Sequence, residues 1–148
     1  MKIICIGRNY AKHAAELNNE IPSEPVIFLK PETAIPLKNH PFFYPEFSKD
    51  VHYEAEVVIR IKKVGKHIQK EFANKYYDEL SLGIDFTARD IQRICKSKGL
   101  PWEKAKAFDN SAVIGSTFFS KKDLDLGQTR FALKKTNEPV QAGNPTDL

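Results

Sequence analysis

Seven short runs rich in Val, Ile, Phe and Tyr, each closed off by turn residues, constrain this chain more than anything else in it. They fall at 2–6, 25–29, 52–61, 81–86, 111–115, 129–134 and 139–142, and runs of this length and composition predict strands. Helical spacing is confined to 10–19, 68–76 and 88–98. Strands outnumber helices and the two are interspersed, so the expected class is a β-rich α+β domain with a sheet roll or sandwich. Between them, Pro31, Pro36, Pro41 and Pro45 break up residues 31–47, read as an extended, aromatic-rich loop. The clearest helix is 88–98. Thr87 with Asp90 resembles a capping box, Ile91, Ile94 and Cys95 form an apolar stripe, and Gly99 supplies the stop. Near the end, a strand, a turn at Thr136-Asn137-Glu138 and a second strand read as a hairpin.

Composition narrows the class further. With 148 residues, 41% hydrophobic content, ten Phe and five Tyr, the chain has enough apolar matter for a core and is read as one domain over 1–148. Cys5 and Cys95 have no metal-type spacing and read as reduced thiols of a cytoplasmic protein. The apolar run Ile3–Ile6 stops at Gly7, too short for a signal-peptide core, and no segment has membrane-spanning length. A net charge of +4 invites a nucleic-acid partner. The lysines, however, come as scattered pairs such as Lys62-Lys63 and Lys134-Lys135, without an RNA-binding signature. A mildly basic surface that attracts small anions is the better reading.

The strand His52–Ile59 carries Glu54 and Glu56 on one face, about 6.6 Å apart along the strand. At that separation the two charges repel by roughly 2–3 kcal/mol at an effective dielectric near 20. If they flank a buried strand, the pair needs a cation, and an oxygen-only pair suits a hard one such as Mg²⁺ or Mn²⁺. On the wet face of a strand the same pair is ordinary. Asp85 alternates with Ile84 and Phe86, so it is expected to face away from the core at a strand's exit, as a third carboxylate or as a helix cap. Arg89 and Gln92, spaced i, i+3, share a helix face distinct from the apolar stripe; they can grip a carboxylate and a carbonyl, or simply meet solvent. Lys106 can stabilise developing negative charge or lie on the surface over Trp102. His13 and Glu16, also i, i+3, read as an imidazole oriented by a carboxylate for general-base work, or as a surface pair.

Taken in order, GRNYAKHAAEL, EPVIFLKPETA, HYEAEVVIRI, DFTARDIQ, KGLPWEKAKAFDNSAVIG and NEPVQAGN resemble the successive motifs of the fumarylacetoacetate hydrolase family. The likeness is strongest to its small, single-domain branch of acylpyruvases and oxaloacetate decarboxylases. The resemblance implies that Glu54, Glu56 and Asp85 are ligands of Mg²⁺ or Mn²⁺ and that His13 and Glu16 sit on a lid helix and activate water. It makes Lys106 the lysine beside the metal and Arg89 and Gln92 substrate contacts, with Arg8 and Lys30 as pocket-lining cations. It implies a mixed β-roll, a homodimer and a small anionic 2-oxo acid substrate. The activity is then C–C cleavage of a 2,4-dioxo acid or decarboxylation of oxaloacetate through a stabilised pyruvate enolate, with an isomerase-type reaction at the same site as an alternative. Family members continue with further strands and a Thr-Gly-Thr-Pro loop, and Pro145 stands where a threonine is usual. The expectation is therefore a catalytic domain lacking its last strands, with a catalytically incomplete fragment that only binds metal or dimerises as the alternative.

Overall fold

The computed structural model describes residues 1–9, 23–38 and 40–146. The helix expected at 10–19, with His13 and Glu16, lies outside the described residues. The strands are β1 (Ile3–Gly7), β2 (Val26–Lys30), β3 (Val51–Ile61), β4 (Tyr77–Ala88), β5 (Ala112–Ile114), β6 (Phe119–Ser120), β7 (Phe131–Lys135) and β8 (Glu138–Gly143). Two α-helices accompany them, α1 (Arg89–Ser97) and α2 (Glu103–Lys106). Among the described residues they form an antiparallel β1–β2 pair, a four-stranded sheet in the order β3-β4-β5 with β6 also on β4, and an antiparallel β7–β8 hairpin. The protein is β-rich α+β, as its punctuation predicts.

The chain divides into two compact units, and β3 and β4 each run from one into the other. The first holds 1–54 and 84–113. Its β1–β2 pair aligns Ile4 with Leu29 and Ile6 with Ile27. The proline-broken loop is anchored by its aromatics: Phe42 stacks on Phe86 at 3.8 Å, Phe47 meets Phe108 edge-on at 5.5 Å, and the Val51 amide donates to the Tyr44 hydroxyl at 2.8 Å. Gly7 lets the chain pass beside Trp102, whose ring would lie 3.2 Å from an added Cβ. Helix α1 ends as expected. Gly99 sits at φ +63° and the Leu100 amide closes onto the Cys95 carbonyl at 2.8 Å.

The second unit holds 55–83 and 114–146. Arg60 lies 3.5 Å over the Phe118 ring and pairs with Glu79 at 2.9 Å. The β7–β8 hairpin turns through Thr136 and Asn137, both at positive φ, which suits the twist of a two-residue hairpin loop. Residues 68–76, expected as a helix, form instead a 3₁₀ turn over Lys70–Lys75 with no buried side chain. Without an apolar face to bury, so short a segment has nothing to pay for α-helix nucleation.

Three expectations within the first unit are corrected by packing. Thr87 does not cap α1; it belongs to β4, and Ala88 at the N-cap position makes no side-chain bond. The buried face of α1 is Arg89, Gln92 and Cys95, while Ile94 is exposed. On β4, Asp85 and Thr87 are buried and Ile84 and Phe86 only half so. In each case the polar side of the element faces inward, because the interior it meets is charged.

Candidate active site

The interior of the first unit is unusually polar. Lys30, Asp85, Thr87, Arg89, Gln92, Lys106 and Ser111 are all buried, and the two largest fully enclosed side chains are Thr87 and Ser111. Burying charge costs heavily unless partners surround it. Here they do. The Lys106 ammonium donates to Glu54 Oε2 at 2.8 Å, Asp85 Oδ2 at 2.7 Å and Thr87 Oγ1 at 2.6 Å, using its three protons. β3 and β4 thus bring Glu54 and Asp85 to a single cation carried by α2. Arg89, at the first turn of α1, also pairs with Glu54 and donates to Gln92 Oε1 at 2.7 Å, so the i, i+3 face expected from sequence exists and points inward.

Electrostatics follow from this enclosure. Burial pushes the Glu54 carboxyl upward, yet the charges of Lys106 and Arg89 outweigh it and bring its pKa down to about 2. Burial works against the Lys106 ammonium, but Asp85 and Glu54 overcome it and raise its pKa. For Lys30 the balance reverses: burial dominates and lowers its pKa despite Asp85. Three cations (Lys30, Arg89, Lys106) face two carboxylates here among the described residues.

Several sequence expectations can be placed. Arg8, at φ +57°, lies 5.9 Å from the Trp102 ring centre with its Nε buried and without a hydrogen-bond partner. Lys106 is not a surface lysine over Trp102; it is 3% exposed and lies 5.1 Å over Phe28, whereas Lys96 is the lysine near Trp102. Lys30 is buried and bonded to the main chain. Glu56, in the second unit, is half-buried on β3. Thr87 and Ser111 were missed as site residues. The trace of Thr87 in sequence is a hydroxyl two residues after Asp85 on a strand, which a cap explains equally well, and Ser111 leaves none.

Among the described residues, no three His, Cys, Asp or Glu side chains form a group able to hold a metal ion. Of the expected ligand set, Glu54 and Asp85 converge. They supply hard oxygen donors, although each Asp85 oxygen already meets an ammonium, Oδ1 that of Lys30 at 2.8 Å and Oδ2 that of Lys106 at 2.7 Å. Two convergent carboxylates are the kind of donor a hard divalent cation takes.

A buried set of paired carboxylates, lysines and an arginine on a β-rich α+β frame is the kind of arrangement that active sites and structural ion-pair networks share. The chain belongs to the fumarylacetoacetate hydrolase family: the fumarylacetoacetate (FAA) hydrolase C-terminal domain matches residues 2–148. It is 38% identical to mouse oxaloacetate tautomerase FAHD1, mitochondrial, over 99% of this chain and 66% of that one. It is 39% identical to the mitochondrial oxaloacetate decarboxylase of Dictyostelium discoideum, over 99% of this chain and 68% of the relative. The crystal structure of fumarylpyruvate hydrolase from Pseudomonas aeruginosa in complex with Mn²⁺ and pyruvate superposes with a TM-score of 0.87 at 32% identity, covering all of this chain and 66% of that one. The chain spans about two thirds of the length of these relatives.

Proposed function

We propose that residues 1–148 belong to one catalytic domain of a divalent-metal-dependent enzyme acting on small 2-oxo acids. The reaction is C–C cleavage of a 2,4-dioxo acid, decarboxylation of oxaloacetate, or enol–keto tautomerisation of the same acid. The convergence of Glu54 and Asp85 on Lys106, with Arg89 and Gln92 alongside, is the observation that carries this reading. The names of the relatives, an oxaloacetate tautomerase, an oxaloacetate decarboxylase and a fumarylpyruvate hydrolase, agree with it. Mg²⁺ or Mn²⁺ held by Glu54, Glu56 and Asp85 would supply Lewis-acid polarisation of the substrate's oxo group.

The chain's own residues then divide the work. Arg89 and Gln92 bind a carboxylate and a carbonyl oxygen through charged and neutral donors on one helix face. Lys106 places positive charge where an enolate oxygen develops, a contribution of the oxyanion-hole kind. His13, oriented by Glu16, is the proposed base for a water in the hydrolytic reaction, and Arg8 lines the pocket. All three reactions share the enolate, so they differ only in whether water attacks, carbon dioxide leaves or a proton shifts.

Steady-state assays with acetylpyruvate and oxaloacetate, with Mg²⁺, with Mn²⁺ and with chelator, test the proposal on the full-length protein. Turnover should require the metal and fall by about 10²–10³ or more in Glu54→Ala/Glu56→Ala. Undiminished turnover in that variant would refute it. The homodimer and the cytoplasmic location expected from sequence remain proposals, the first open to light scattering and the second to fractionation. No helix among the described residues is long and apolar enough to cross a membrane.

A further inference from the structure

We propose that Lys30 is a positioning residue, whose ammonium forms with the Ser111 hydroxyl a buried latch that fixes the main chain beneath Lys106 and steadies Asp85. This reassigns a cation expected to line the pocket, and its catalytic consequence rests on the function proposed above.

The Lys30 side chain, at the end of β2, is 1% exposed. It donates to the Lys106 carbonyl, to the Ser111 carbonyl at 3.0 Å and to Ser111 Oγ at 2.9 Å. Asp85 Oδ1 lies 2.8 Å away. An ammonium has three protons, and this one faces more protein acceptors than it can serve, two of them main-chain carbonyls whose place the fold sets. The Ser111 hydroxyl relays the same contact, donating onward to the Lys106 carbonyl at 2.9 Å.

The geometry explains why such a latch is needed. Helix α2 has four residues, too few to hold its own shape, and its last carbonyls have no partner within the helix. Lys30 and Ser111 satisfy the carbonyl of Lys106, the residue whose ammonium reaches Glu54, Asp85 and Thr87. One buried cation thereby sets the main chain of the second cation and the carboxylate that both share. Ser111 is itself tied to β4, since its carbonyl accepts from the Phe86 amide at 2.9 Å.

Lys30→Gln and Ser111→Ala in the full-length protein test this with two readouts. The first is hydrogen exchange across 103–112, which needs no activity; the second is oxaloacetate turnover with oxalate as a competitive probe. Each variant should speed exchange in 103–112 by about tenfold or more and leave 131–143 unchanged. Each should lower kcat by about tenfold or more while KM and the oxalate inhibition constant stay within about twofold, and the double variant should be no worse than the poorer single one. The proposal is overturned if Lys30→Gln keeps wild-type exchange and kcat but raises KM and the oxalate constant, the behaviour of a substrate-gripping lysine. It is equally overturned if Ser111→Ala is silent in exchange, and that variant decides alone should Lys30→Gln fail to fold. A wild-type protein inert toward every oxo acid would sink the proposed function, while exchange would still decide the latch.

Discussion

Lys106 is the residue on which the site turns. Its three protons go to Glu54, Asp85 and Thr87, so removing it leaves Glu54 with Arg89 and Asp85 with Lys30 as their remaining charged partners. Lys106→Met should cost about 3–5 kcal/mol in urea unfolding, the range for breaking a buried ion pair. Adding Mg²⁺ should recover more stability in Lys106→Met than in the wild type, since both carboxylates have then lost a cation; equal recovery would argue against metal at this pair. At this scale the sequence was legible in identity but not in environment. Glu54, Asp85, Arg89, Gln92 and Lys106 were all singled out, yet each had an ordinary alternative, a helix cap for Asp85 and a solvent-facing position for the rest, and burial beside charged partners is what removes it. Burial is a property of neighbours far away in the chain, here residues from β2, β4 and α2.

Among the elements, α1 shows how local patterning can misname a face. Its Ile91, Ile94 and Cys95 stripe is what amphipathicity selects, but Arg89, Gln92 and Cys95 turn inward because the partner surface is charged. Asp90 was read as part of a capping box with Thr87. Instead its carboxylate accepts from Ser48 Oγ at 2.6 Å, the Lys49 amide at 3.0 Å and the Ile91 amide at 2.9 Å, tying the proline-broken loop to the helix. The Ser48 hydroxyl foremost, then the two amides, hold the Asp90 carboxyl below its ordinary 3.8. A depressed folded-state pKa means the stabilisation is complete above about pH 4 and lost as pH falls through the folded value. Asp90→Asn should therefore unfold at lower urea than wild type at pH 7, and the gap should close as the pH is taken down. A gap independent of pH would mean that the charge on Asp90 is irrelevant.

At the scale of the whole molecule, burial is uneven. All the buried charged side chains among the described residues, Lys30, Asp85, Arg89 and Lys106, lie in the first unit, while the second buries the side chains of Leu80, Ser81 and Asn144. The β1–β2 pair also presents Ile4, Ile6, Ile27 and Leu29 to solvent on one face, in adjacent cross-strand pairs. An exposed apolar patch of this kind promotes non-specific association. In a polypeptide of residues 1–148, Ile6→Glu with Ile27→Lys, a cross-strand pair of opposite charge, should raise the solubility limit measured by light scattering without lowering the melting temperature. A lower melting temperature would show that these side chains are covered in solution.

From the sequence alone come the β-rich class, most strands, the Gly99 stop, the β7–β8 hairpin and the membership of the family. All of these are written in short-range periodicity, turn chemistry and ordered motifs. It does not show that the Lys30 ammonium meets main-chain carbonyls, that Thr87 serves Lys106 rather than a helix, or that the inner face of α1 is its polar one. Those are decided by which elements the tertiary structure stacks together, because a side chain's role depends on the charges and acceptors that folding brings to within about 3 Å of it.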